Sequence, residues 1–355
     1  MEGLYVILNG VGGLGVFIIG MRMMSAGIHK VSGNRMRRLF KVMTETPIVA
    51  IVTGFSVTAL IQSSSATTVM LVSLVHAQLV TVAQSIGVVM GANIGTTMTA
   101  WIVSFLGFTV KISTFALPAI ALGLPLRFVN RDRAREVGNI LMGFGLLFLG
   151  LGLMKESIGN VEESAVVLRT LRQFGGFGFG SVLLFLIAGL LLTVAVQSSS
   201  AAMAITLTLA FNQWISFPIA AAMVLGENIG TTVTALIASI ELKPDAKRTA
   251  LSHVAFNCIG VAWMLLLFYP FLSFVDWIVP GQATAPSSLV YHLSAFHSAY
   301  NILNTAILVW FIPRMEQVLR RILRDRPDHQ TGPRPIPHVR IQVVDRAEVS
   351  LINAR

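Results

Sequence analysis

Only 12% of the 355 residues carry a charge, against about 25% in ordinary soluble domains, which excludes a soluble enzyme or a disordered scaffold. A single cysteine, Cys258, excludes a disulfide framework and a multi-cysteine zinc site. No Lys or Arg falls within 47–106 or 179–240. There is no Walker motif and no hydrolytic or redox constellation, so the chain is expected not to be an enzyme, and any transport would be driven by a gradient rather than by ATP hydrolysis. The N-terminus lacks a basic n-region and its first Arg, Arg22, follows the apolar stretch, so a retained first helix is expected rather than a cleaved signal.

What is present is apolar: 54% of the residues are hydrophobic, in runs of about 20 separated by polar breaks, the pattern of an all-α integral membrane protein. Spans are expected near 4–28, 80–106, 110–127, 138–155, 212–240, 249–274 and 290–313, seven in all. A net charge of +10 would suit a nucleic-acid binder only if it lay on one exposed face, and here it is scattered between spans, so no nucleic acid is expected. Four patches hold most of it: Lys30 to Lys41, Arg127 to Arg135, Lys243 to Arg248, and nine Arg from Arg314 onward.

Segments 47–76 and 179–210 are about 30 residues long, each with a polar run in its middle, Gln62-Ser63-Ser64-Ser65 or Gln197-Ser198-Ser199-Ser200. As plain spans they would put the 127–135 patch opposite the 30–41 patch, against the positive-inside rule. As re-entrant hairpins they leave all four patches cytoplasmic, with the N-terminus and the acidic residues Glu156, Glu162, Glu163 and Asp276 outside. The chain is therefore expected in the cell (plasma or inner) membrane with its C-terminus cytoplasmic. Met315, Val318, Leu319, Ile322 and Leu323, interleaved with Arg320, Arg321 and Arg324, read as an amphipathic helix on the anionic inner leaflet or as a solvated basic tail. Pro327, Pro333, Pro335 and Pro337 then mark an irregular tail.

Aligned without a gap at an offset of 135, 62–102 and 197–237 share 17 identities in 41 positions, which is duplication. A weaker match pairs Leu14–Ile28 with Phe144–Ile158 at an offset of 130. Each unit then holds an odd number of spans, so the copies face opposite ways, as in inverted-repeat transporters. The expected organisation is a first repeat over 1–135, an inverted second repeat over 136–275, a final helix over 276–313 and a basic cytoplasmic tail over 314–355.

A Gln-Ser-Ser-Ser run in hydrocarbon must find polar partners, so it lines a site inside the protein. At a hairpin tip the Ser hydroxyls and the free N–H groups of the returning helix favour an anion. Gly-x-Asn-Ile-Gly-Thr-Thr at 91–97 and 226–232 interrupts apolar spans. Alone it reads equally as a close-packing glycine patch or as an unwound stretch whose carbonyls, Asn and Thr oxygens suit Na⁺; its repetition in register with the Ser motif favours a broken transmembrane helix. With no basic side chain in these segments, co-bound cations would neutralise the anion. Glu227, whose repeat mate is Ala92, is either a cation or proton site or a structural partner. His253 and His297, in His-x-x-Phe-Asn and His-x-x-Tyr-Asn, suit packed hydrogen-bonded roles better than substrate contact, and Arg22 is expected to snorkel.

Paired QSSS motifs, each followed by G-x-N-I-G-T-T, resemble the type II sodium-dependent phosphate cotransporters and their bacterial relatives over roughly residues 4–313. The resemblance implies that Ser63, Ser64, Ser65, Ser198, Ser199 and Ser200 bind phosphate. It implies Na⁺ sites from Gln62, Gln197, Asn93, Thr96, Thr97, Asn228, Thr231 and Thr232; Glu227, His253 and His297 are candidate accessories on the reading of the residues above. The expected function is sodium-coupled phosphate uptake by alternating access, with no cofactor beyond Na⁺ as coupling ion. The alternatives are a phosphate exporter, a carrier of another oxyanion or a carboxylate, and a phosphate sensor without turnover. The expected partners are inorganic phosphate, Na⁺ and the lipid bilayer; a homodimer would give an elevator-like carrier its fixed scaffold, though no feature of the sequence establishes one.

Overall fold

A computed structural model describes residues 2–42, 46–109, 113–159, 170 and 173–324. The chain forms α1 (Glu2–Val42), α2 (Pro47–Ile61), α3 (Ser64–His76), α4 (Val82–Ile102, continued by a π-turn), α5 (Ser113–Leu126) and α6 (Asp132–Gly159). It continues with α7 (Phe179–Val196), α8 (Ser199–Phe211), α9 (Phe217–Ser239), α10 (Pro244–Leu266), α11 (Phe268–Ile278), α12 (Pro286–Leu308) and α13 (Ile312–Ile322). No strand occurs among the described residues. Glu162, Glu163 and the proline-marked tail lie outside them.

Seven helices are long and apolar enough to cross a membrane, but the set differs from the expected one by one exchange. Of the expected span at 110–127 the described residues form α5, whose 14 residues reach about 21 Å, less than a hydrocarbon core about 30 Å thick. In its place stands α7, 18 residues of the second Ser-bearing segment.

Both Ser-bearing segments break at the polar run. Gln62 ends α2 in the left-handed conformation at φ 57°, and Ser63 caps α3 by accepting a hydrogen bond from the Ala66 N–H. Gln197 at φ 54° and Ser198 repeat this between α7 and α8. Among the described residues the positive-φ positions other than Gly are Gln62, Gln78, Gln197 and Gln213, two pairs at the 135-residue offset, so tip and base of each hairpin share a backbone geometry across the duplication.

The direction of α2 proves the hairpin. Gly87 lies against Pro47 and Ala50, Gly91 against Ile51 and Phe55, and Gly95 against Phe55 and Thr58, so α2 and α4 run parallel. A chain that enters twice in the same direction must have returned over α3. The hydroxyl of Thr58 meets that of Thr67 at 3.0 Å, tying the two arms just behind the tip. The same register holds α7 against α9 through Gly189, Gly226 and Gly230. There Ala202 replaces Thr67, and the Thr193 hydroxyl, mate of Thr58, has no hydrogen-bond partner among the described residues.

Helices α1 and α6 pack antiparallel. Gly13, Gly20 and Gly27 of α1 lie against the backbone of α6 near Gly150, Gly143 and Glu136 respectively, as an inverted repeat requires.

The hairpins enter from opposite ends. At the base of the first, His76 Nδ1 accepts from the Lys243 N–H at 3.2 Å; at the base of the second, Gln213 Nε2 donates to the Thr284 carbonyl at 2.8 Å. Between Gln213 and Lys243 runs α9, 23 residues or about 35 Å long.

One expectation is overturned. Neither α4 nor α9 is broken: both motifs lie within continuous α-helix. A Cβ at Gly91 would overlap the Ile51 carbonyl oxygen, and one at Gly226 the Leu186 carbonyl oxygen. The glycines serve backbone-to-backbone packing, and their carbonyls stay in the helical ladder.

The C-terminal helix α13 is amphipathic and packs one face on the protein. Ile312, Met315 and Leu319 are buried in a core shared with α2, α3 and α4, whereas Val318 and Ile322 are exposed. The carbonyl of its C-cap, Leu323, is held by the fully buried Arg248, which donates to it from Nε and Nη2 at 3.1 and 2.6 Å and from Nη1 to Asp245. Arg248→Gln is expected to free the end of α13, at a cost of about 1–3 kcal/mol for the unpaired groups, read as a lower thermal midpoint in detergent.

Candidate functional site

The two tips meet. A cavity of about 460 Å³ is lined by all eight residues of the two Gln-Ser-Ser-Ser runs and, on its other wall, by α1 from Met21 to Lys30. The Ser25 hydroxyl donates to the Ile61 carbonyl at 2.5 Å, fixing α1 against the first tip. Helices α3 and α8 both begin here, so two sets of first-turn N–H groups and two positive dipole ends converge on one space. That combination suits a tetrahedral oxyanion.

Ser63 and Ser198 keep their hydroxyl oxygens on capping N–H groups. Ser64 is buried, and its hydroxyl has no partner among the described residues. Ser65 and Ser199 line both this cavity and a smaller one of about 50 Å³, which also includes Gln197, Ser198, Thr193, Thr231 and Thr234. The smaller space is of the size that holds one water or one desolvated ion, and its wall combines Ser, Thr and Gln side chains with Val194, Val233 and Ile237.

Sequence reasoning missed Thr99. Its hydroxyl donates to Gln62 Oε1 at 3.0 Å and lies 3.3 Å from Ser200 Oγ, so the Ser200 proton points to Thr99 and a hydrogen-bonded chain joins the two tips through α4. The signal was available, because Thr99 and its mate Thr234 end the repeated Thr-Thr-x-Thr and Thr234 lines the small cavity. Ser25 and Arg22 line the tip cavity without any motif of their own. Arg22, expected to snorkel, is one of the residues that line this cavity.

The remaining expected residues divide. Gln62, Gln197 and Thr231 line the cavities; Asn93, Thr96, Thr97, Asn228 and Thr232 line neither. Asn93, Thr96, Thr97 and Thr232 donate to carbonyls of their own helices. Asn228 Oδ1 accepts from His297 Nε2 at 3.2 Å, which joins α9 to α12. His253 and His297 are both buried, and Asn257 and Asn301 donate to their backbone carbonyls at 3.0 and 2.9 Å, so the repeated His-to-Asn spacing is a local helix contact. His253 itself has no hydrogen-bond partner among the described residues.

Glu227 lines neither cavity and accepts from the Thr206 hydroxyl at 2.6 Å. The repeat mates of this pair are Ala92 and Leu71, so a polar pair in one repeat occupies the position of an apolar pair in the other. Thr206→Leu alone is expected to strand the carboxylate and cost about 1–3 kcal/mol. The double variant Thr206→Leu, Glu227→Ala is expected to recover the thermal midpoint and to keep phosphate uptake; lost uptake in a folded double variant would give Glu227 a functional role.

Another cavity, of about 700 Å³, lies at the base of the second hairpin beside Trp214, Tyr269 and Asp276 and contains none of the motif residues.

The family model described as Na+/Pi-cotransporter matches residues 16–156 and 165–277. Among relatives, "Putative inorganic phosphate export protein YjbB" of Escherichia coli K12 is 28% identical over 353 residues, 98% of this chain. The chain spans 61% of that relative's length. An uncharacterized protein of Bacillus subtilis, YqeW, is 27% identical over 297 residues, 84% of this chain and 91% of the relative. Human sodium-dependent phosphate transport protein 2B is 36% identical over 92 residues, 25% of this chain and 13% of the relative. No solved structure matches.

Proposed function

Because this chain belongs to the Na+/Pi-cotransporter family, we propose that it carries inorganic phosphate across the cell membrane, coupled to Na⁺, by alternating access around the two hairpin tips. The observation that carries the reading is the convergence of both Gln-Ser-Ser-Ser tips, from opposite ends of the molecule, on one cavity. Phosphate sits against the Ser hydroxyls and the first-turn N–H groups of α3 and α8. Na⁺ takes the small adjoining space, where Gln197, Thr231 and Ser65 supply oxygens. A Thr hydroxyl that donates to its own helix, as Thr231 does to the Glu227 carbonyl, keeps its lone pairs for a cation.

The units that move are the two inverted repeats, 1–135 and 136–275, with 276–313 as a further helix and 314–355 as a basic tail. By the positive-inside rule the N-terminus is outside and the C-terminus cytoplasmic. The tip cavity then faces the cytoplasm through the end of α1 that carries His29 and Lys30. Export is the second reading, supported by the match to the export protein YjbB along nearly the whole of this chain.

The test is labelled phosphate flux in proteoliposomes under a Na⁺ gradient, compared with K⁺ at equal ionic strength and membrane potential. Flux that requires Na⁺ is expected. Equal flux in both cations would discard the coupling and favour a facilitator or exporter.

A further inference from the structure

The motif segments contribute no cationic side chain, and two helix N-termini supply roughly half a charge each, less than a phosphate carries. Co-bound Na⁺ supplies part of the balance, and a side-chain cation elsewhere in the chain can supply more. Arg22, Ser25, Ala26 and His29 follow i, i+3, i+4, i+7 and form one stripe of α1 along the tip cavity. Ser25 holds this stripe in register through its bond to the Ile61 carbonyl. Lys30, at the mouth, is engaged by Glu136 at 2.9 Å. Arg22, also among the lining residues, is exposed and has no ionic partner among the described residues.

We propose that Arg22 is a phosphate-contacting residue that acts only when the cavity opens toward the basic end of the molecule. A guanidinium offers a planar, two-pronged donor set that matches an oxyanion, which a snorkelling side chain would direct away from the site. The duplication makes the contact one-sided. At the 130-residue offset Arg22 corresponds to Gly152 on α6, which has open space around it and no side chain. A site approached from the other end would thus meet hydroxyls and N–H groups without this cation, and the carrier would bind phosphate with unequal affinity from its two sides. The inference rests on the phosphate reading of the site given above.

The experiment is Na⁺-dependent flux of labelled inorganic phosphate in right-side-out and inverted membrane vesicles, for the native chain, Arg22→Gln and Arg22→Lys. Arg22→Gln is expected to raise the phosphate half-saturation about tenfold from the basic side only, with Arg22→Lys recovering part of the loss. The Na⁺ half-saturation and the phosphate value from the opposite side stay at their native values. An Arg22→Gln profile equal to native from the basic side overturns the proposal, and so does an equal shift from both sides, which marks a structural role. A folded native chain that neither transports nor binds inorganic phosphate overturns the underlying reading and this inference with it.

Discussion

Alanine at both Ser65 and Ser199 is expected to abolish Na⁺-driven phosphate flux while leaving the protein folded. These two residues line both the tip cavity and the small adjoining one, and neither serves as the cap of its helix. Each hydroxyl bond to a charged group contributes about 1.5–3 kcal/mol, so losing two weakens phosphate binding by about 10²- to 10⁴-fold. Ser73→Ala is the control. That hydroxyl sits on the exposed face of the same helix, donating to the Val69 carbonyl at 3.0 Å, and its loss leaves flux at the native level. Proteoliposome uptake, with size-exclusion profiles to confirm folding, reads both. Full flux in the Ser65, Ser199 double variant would move the anion site away from the tips.

The second large effect is on folding. Gly91→Ala and Gly226→Ala each put a methyl group onto a carbonyl oxygen of the parallel partner helix, Ile51 in one repeat and Leu186 in the other. Overpacking in a core costs about 1–3 kcal/mol where side chains can yield, and here the obstacle is backbone. Pushing α2 away from α4 also separates the tip from Thr99, so the hydrogen-bonded chain through Gln62 is lost with the packing. Both variants are expected to lose the monodisperse peak on size exclusion, or to survive with no flux. Gly15→Ala and Gly152→Ala have nothing within reach of the added carbon and are expected to behave as native. A well-folded, active Gly91→Ala protein would show that the α2–α4 crossing is looser than its glycines require.

The hairpins were legible because their signals are local. A Gln-Ser-Ser-Ser run in the middle of an apolar segment has no way to remain helical and lipid-facing, and the charge pattern on either side fixed how the chain returns. The glycine motif was ambiguous for a physical reason. Glycine weakens a helix and also allows another backbone to approach, and which of the two occurs depends on whether a neighbouring helix is there. Nothing within 91–97 records that Ile51 and Phe55 lie alongside. The span at 110–127 shows the same limit, since hydropathy gave its apolar character but not the 14-residue length of the helix.

Sequence alone determined the class of the protein, its duplication, the two re-entrant tips and the family, because hydropathy, charge placement and repeated motifs follow from residue order. Tertiary structure decided that both tips share one cavity, that α4 and α9 stay continuous, and that Thr99 links the tips. It also decided that Arg22, outside every motif, is among the residues that line this cavity. Each of these is a contact between residues far apart in the chain. Such contacts are set by how helices with small residues pack against one another, and no local pattern carries that information.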